Sequence, residues 1–134
     1  MPAQATTAPA TQPAPRVVQP PAKAQFHVYL LMGQSNMAGR DTRDLDAQVD
    51  DARVLALDVQ GPHGRWVVAR DPIHGKIGHI DPGVGPGIAF ATAMVKQRRS
   101  ITIGLVPCAV GGSPFDVKPL YRATAPQAHR SRPC

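Results

Sequence analysis

Phe26-His27-Val28-Tyr29-Leu30-Leu31-Met32 runs almost unbroken in apolar side chains and stops at Gly33. Alternation would suit a strand with one wet face, whereas a continuous run suits a strand covered on both faces, as in a parallel sheet. The segment predicts such a strand, with order beginning at Phe26. Downstream, Arg53-Val54-Leu55-Ala56-Leu57 predicts a second strand, Gly61-Pro62-His63-Gly64 a turn, and Trp66-Val67-Val68-Ala69 a short extended piece. Pro86 fits the first turn of a helix, where its missing N–H breaks no bond. Ile88, Ala91, Met94 and Val95 follow at helical spacing. Arg98 and Arg99 then fall where cations favour the negative end of the helix dipole, so 86–98 reads as a helix. Ile101-Thr102-Ile103-Gly104-Leu105-Val106 predicts another buried strand. Strand, helix and strand in this order imply an α/β layered domain.

Outside this body the pattern fades. Residues 1–25 hold six Pro and seven Ala without helical or strand periodicity, and read as a disordered, partly polyproline II linker. They lack the basic start and apolar core of a signal peptide. A linker of this composition often follows one, which would put the true start upstream. Residues 118–134 read as an irregular basic tail, and 26–117 as the domain. The charge follows the same division. The chain has 134 residues and a formal charge of +6. Arg16 and Lys23 face no acid within 1–25, and Lys118, Arg122, Arg130 and Arg132 face none within 118–134. The middle balances nine basic residues against nine Asp. A neutral body with basic ends is a poor surface for tracking phosphates, so a nucleic-acid partner is not expected. No apolar run approaches the ~18 residues of a membrane span.

The chemistry lies just past the first strand, in Gly33-Gln34-Ser35-Asn36-Met37-Ala38-Gly39. Ligands of open α/β sheets gather at the carboxyl ends of the strands. A serine in a tight turn there is exposed, and its own N–H can face a developing oxyanion. Taken alone, Ser35 is also well explained as the cap of a following turn.

The flanking residues alter that balance. The heptapeptide resembles the first block of the SGNH-hydrolase superfamily, in its sialate O-acetylesterase and acetylxylan-esterase-like branch (carbohydrate esterase family 6). Three further stretches resemble the same branch in the same order: Trp66 with Ala69-Arg70-Asp71-Pro72-Ile73-His74; Gly83-Val84-Gly85-Pro86-Gly87-Ile88-Ala89-Phe90-Ala91; and Ile103-Gly104-Leu105-Val106-Pro107-Cys108-Ala109-Val110-Gly111-Gly112-Ser113. Together they span about 26–117. The resemblance implies a three-layer, parallel-sheet, flavodoxin-like fold and a serine esterase that removes acetyl groups from carbohydrates without metal or organic cofactor. It implies Ser35 as the nucleophile, with Ser35 and a glycine of the Gly111-Gly112 turn completing the oxyanion hole. Gln34, Asn36 and His74 are expected at the substrate. A secreted or periplasmic location fits the resemblance and the linker.

One part of the family pattern is not found. Its general base is a His in a late Asp-x-x-His, and another block supplies an Asn or a Gln-Gly-Glu-type segment to the oxyanion. Here nothing recognisable follows Phe115, Glu is absent, and Asn36 is the single Asn. His129 follows Pro126 in the basic tail with no Asp nearby. Asp71-Pro72-Ile73-His74 spells the motif but precedes the helix, and reads as a loop beside the cleft. The expectation is a domain incomplete at its C-terminus and catalytically impaired, since serine needs a base held by a third group. The alternative is a non-catalytic carbohydrate-binding remnant or an inactive fragment. An incomplete sheet would expose an edge and favour association.

Other patterns carry less. Gly83-x-Gly85-x-Gly87 has neither the spacing nor the preceding strand of a dinucleotide site. His63, His74 and His79 match no strong zinc pattern. Cys108 reads as a buried small apolar residue, Cys134 is uninformative, and no repeat is evident.

Overall fold

The computed structural model describes residues 14–41, 50–59, 61, 64–76 and 81–112. The elements are β1 (Val17–Val18), a 3-10 turn (Lys23–Gln25), β2 (Phe26–Leu31), α1 (Ser35–Ala38), β3 (Val54–Leu57), β4 (Trp66–Val68), α2 (Pro86–Gln97) and β5 (Thr102–Pro107). They form an α/β fold on one five-stranded sheet of order β1-β4-β3-β5-β2. The pairs β2–β5 and β3–β5 are parallel, whereas β3–β4 and β4–β1 are antiparallel. The sheet is therefore mixed where a parallel one was expected. The connection from β3 to β4 is a hairpin, too short for a parallel crossover. Asp58 fastens it, accepting from Gly61 N–H at 2.8 Å and from Arg65 Nη2 at 3.0 Å.

Within the stretch expected to be linker, Val17 and Val18 pair with Val67 and Trp66. Two adjacent β-branched residues suit an edge strand, but two residues are too few to show a period. The calls of a linker over 1–13 and a tail over 118–134 lie outside the described residues. So do His63, His79, His129, Ser113 and Cys134.

The predicted helix forms with Pro86 in its first turn. Its last turn carries Lys96, and Arg98 is already the C-cap, one step short of the expected end. α2 lays Ala91 and Val95 on Ile103, Leu105, Val54 and Leu31, with Ile88 and Met94 at the margin of this core. Tyr29 of β2 meets Phe90 edge to face at 5.0 Å. Arg53 ties the start of β3 to the end of the helix, donating from Nη1 to the Val95 carbonyl at 2.9 Å while its other nitrogens fork onto Asp51.

On the opposite face Phe26 and Trp66 meet edge to face at 4.9 Å. They close over Gly104, where a Cβ would stand 2.5 Å from Phe26 and 2.8 Å from Trp66. Further along that face Val28 and Leu30 are half-exposed, and so is Met32. Among the described residues α2 covers one side of the sheet, and a second helical layer is not present. No helix among them is long and apolar enough to cross a membrane.

Candidate functional site

The parallel pairing of β2 with β5 decides what meets at the carboxyl end of the sheet. Leu31 stands opposite Pro107. Beyond the strands, Cys108 N–H donates to the Leu31 carbonyl at 3.1 Å and Val110 N–H to the Gly33 carbonyl at 3.1 Å. The two chains thus leave the sheet side by side. A Cβ built on Gly111 would stand 4.0 Å from the Cβ of Ser35. Serine and glycine, 76 positions apart in sequence, become neighbours because two strands share a register.

Ser35 opens the single turn of α1 and is half-buried, while Gln34 and Asn36 on either side are exposed. Met37 and Ala38 N–H both donate to the Gln34 carbonyl, and Gly39 N–H donates to the Ser35 carbonyl. The amides of Ser35 and Asn36 stand ahead of those bonds, in the first turn, where a helix supplies no acceptor of its own. Two glycines make so sharp a turn feasible. Gly33 has φ +147° and Gly39 has φ +84°, a region that side chains disfavour. Gly112 has φ +76° for the same reason.

The glycines at 83, 85 and 87 explain how this turn is held. A Cβ on Gly83 would lie 2.4 Å from the Asp41 carbonyl oxygen, and one on Gly85 2.6 Å from that of Met37. Gly83 N–H donates to the Gly39 carbonyl at 3.1 Å and Val84 N–H to that of Asp41 at 2.6 Å. Gly87 does the same against a side chain, since its Cβ would meet Leu31 Cδ1 at 2.5 Å. The segment entering α2 therefore lies main chain against main chain along residues 37–41. Sequence inspection rejected a nucleotide loop here but offered no positive reason for the glycines, because the segment they touch is some 45 residues away.

Asp71 and His74 sit beneath this arrangement. Asp71 is 6% exposed. Burial raises its carboxyl to about 6, against hydrogen bonds from the Gly85 and Ile73 backbone that favour the charged form. It thus anchors the segment that grips the Ser35 turn. His74 is 3% exposed, and neither ring nitrogen has a well-formed hydrogen bond. Burial lowers its pKa, and the nearby Leu31 backbone offsets this only in part. The ring expected at the substrate is thus buried in this structure. Cys108 is likewise half-buried where full burial was expected.

One residue missed in the sequence stands at the mouth of the site. The guanidinium Nη2 of Arg40 would lie 2.6 Å from a Cβ on Gly111, the same point that lies near Ser35. A crevice lined by Ala38, Gly39, Arg40, Ala109 and Gly111 opens there. Among the described residues no three His, Cys, Asp or Glu side chains gather as a metal site would require.

Comparison with known proteins gives this geometry a family. The "Carbohydrate esterase, sialic acid-specific acetylesterase" family matches residues 25–131. The chain belongs to that family. The match begins one residue before the predicted strand and runs beyond 117, where the four blocks end. A "probable carbohydrate esterase" of Arabidopsis thaliana is 35% identical over 130 residues, covering 80% of this chain and 48% of that protein. The X-ray structure of the Arabidopsis protein aligns over 66% of this chain and 42% of its own, with 35% identity and a TM-score of 0.49. The chain thus spans about half the length of the carbohydrate esterase it matches.

Proposed function

We propose that this acetylesterase-family chain carries the nucleophile side of a serine esterase that removes O-acetyl groups from carbohydrates, sialates among them. One observation carries the reading: Ser35 is half-exposed at the end of β2, beside Gly111. In this reading Ser35 Oγ attacks the acetyl carbonyl carbon, and the N–H groups of Ser35 and Gly111, with Gly112 shaping the turn, receive the oxyanion. The bond from the acyl carbon to the sugar oxygen breaks, that oxygen leaves as the sugar hydroxyl with the proton given up by Ser35 Oγ, and acetyl-Ser35 remains. Water then attacks that ester, releasing acetate and restoring the hydroxyl. Gln34 and Asn36, both exposed beside Ser35, contact the sugar.

The proton acceptor for Ser35 is not found among the described residues, since His74 is enclosed. Asp71-x-x-His74 is the sole Asp-x-x-His in the sequence.

The test is acetate release from 4-nitrophenyl acetate and from O-acetylated sialic acid, beside Ser35→Ala. Hydrolysis by the parent that vanishes in the variant, or fluorophosphonate labelling confined to Ser35, supports the reading. Equal rates in both proteins would leave the chain as a carbohydrate-binding module without chemistry.

A further inference from the structure

We propose that the end of the sheet opposite Ser35 docks on an anionic phospholipid surface. The proposal is independent of the esterase reading and concerns a pole of the molecule that the reading does not use.

The body balances its charges along the sequence but separates them in space. Parallel pairing sets Phe26 against Thr102 and Val54 against Ile103, so β2, β3 and β5 begin together at one end. Lys23 stands in the turn that enters β2, and Arg53 directly precedes β3. Val68 N–H donates to the Arg16 carbonyl and Ala69 N–H to that of Val54, both at 2.9 Å, which brings Arg16 and Arg70 to the same end. α2 also finishes there, because its Val95 carbonyl accepts from Arg53 Nη1, and it delivers Lys96, Arg98 and Arg99. Asp50 and Asp51 at this end are already paired with Arg70 and Arg53. Arg16, Lys23, Lys96, Arg98 and Arg99 are exposed, and among the described residues no carboxylate pairs with them. Cations at the end of α2 complement its dipole, but that does not account for Arg16 and Lys23 on other elements. At the Ser35 end the charges cancel: Arg65 pairs with Asp58, Lys76 with Asp81, and Arg40 is followed by Asp41.

The layout of this pole favours a lipid surface over other polyanions. Its cations are spread across strand ends and a helix terminus, over a five-stranded sheet end about 20 Å wide at the usual strand spacing. A hollow lined by Arg53, Val95, Lys96 and Arg99 gives a phosphate headgroup a place between cations. Val17, 48% exposed beside Arg16, adds an apolar side chain that a lipid interface takes up and a nucleic-acid backbone does not. Phe26 is engaged edge to face with Trp66 over Gly104, and so offers bases no stacking platform. Such docking is peripheral and needs no spanning helix. It turns Ser35 outward at the far end of β2.

Sedimentation of the full chain with vesicles tests the proposal. Vesicles of phosphatidylglycerol and phosphatidylcholine in equal parts should carry the protein down at about 0.1 M salt, and vesicles of phosphatidylcholine alone should not. About 1 M salt should release it. Lys96→Gln, Arg98→Gln and Arg99→Gln together should weaken binding about a hundredfold, at roughly fivefold per charge. Arg122→Gln, Arg130→Gln and Arg132→Gln together remove the same charge outside the described residues and should weaken it far less. Val17→Ser keeps every charge and should weaken it severalfold. The proposal is overturned if the anionic vesicles leave the protein in solution, if neutral vesicles bind it equally, or if the two triple variants lose affinity alike. It is also overturned if Val17→Ser binds as the parent does, or if a DNA duplex or inorganic phosphate at equal phosphate concentration strips the protein from the vesicles. The lipid and salt comparisons use the parent protein, so a misfolded variant cannot obscure the result.

Discussion

The α-carbon of Gly85 faces the carbonyl oxygen of Met37 so closely that a Cβ would stand 2.6 Å from it. Main-chain oxygen cannot swing aside as a side-chain tip can. Gly85→Ala should therefore cost about 1–3 kcal/mol of stability, the range typical of overpacking. It should also displace the Ser35 turn. Gly75→Ala is the control, because its Cβ would meet only Val59 Cγ2 at an ordinary 3.6 Å. Urea unfolding of both variants checks this; equal midpoints would show that the contact is not limiting.

Gly104 makes a second such prediction on the other side of the sheet. Its Cβ would push into the rings of Phe26 and Trp66. Gly104→Ala should separate the pair and destabilise the fold by about 1–3 kcal/mol. Trp66 is the single tryptophan, so its emission reports the change directly. A red shift is expected on exposure of the ring, and an unchanged spectrum would contradict the packing.

Asp71 and His74 predict opposite pH slopes. The Asp71 carboxyl is raised to about 6 by burial, so its contribution to stability is complete below its ordinary value of 3.8 and fades as pH rises through 6. His74 is lowered from 6.5, so its contribution is complete above 6.5 and fades as pH falls below it. Asp71→Asn keeps a carbonyl acceptor for the backbone and removes the first slope; it should gain on the parent steadily between pH 4 and 6. His74→Leu removes the second slope. It should cost little at pH 8, since an apolar side chain replaces two unsatisfied nitrogens. Thermal unfolding across pH 4–8 separates the two effects.

Val28 and Leu30 lie on the sheet face away from α2 and are half-exposed on the terminal strand of the sheet. Their replacement by Thr should keep the strand and change stability by less than about 1 kcal/mol. It should reduce self-association, measured by light scattering against concentration. Unchanged scattering would place the cohesive surface elsewhere.

Most of the architecture is legible in the sequence. The apolar runs at Phe26–Leu31 and Thr102–Pro107 and the Pro86 start of α2 name their own structures, since burial and helix entry are local signals. Strand direction is less legible: nothing in Trp66-Val67-Val68 says that β4 runs against β3, because that depends on the connection. β1 escapes notice because two valines cannot display alternation. At the site, Ser35 and Gly111 stand out through the blocks around them. Arg40 does not, since its meaning lies in a gap left by a residue 71 positions later. The burial of His74 is not legible for a complementary reason, as a polar residue in a Pro- and Gly-rich loop gives no sign that tertiary packing encloses it.

The seat of Ser35 is written almost wholly in atoms that every amino acid shares. Where Gly83 and Gly85 press on residues 37–41, the contact is peptide on peptide. Mutational sensitivity should therefore concentrate at the glycines, while the outward-facing side chains beside them drift at little cost to where the hydroxyl stands. Such a scaffold separates two tasks that evolution often finds entangled: the rim can be rewritten while the turn beneath it stays put.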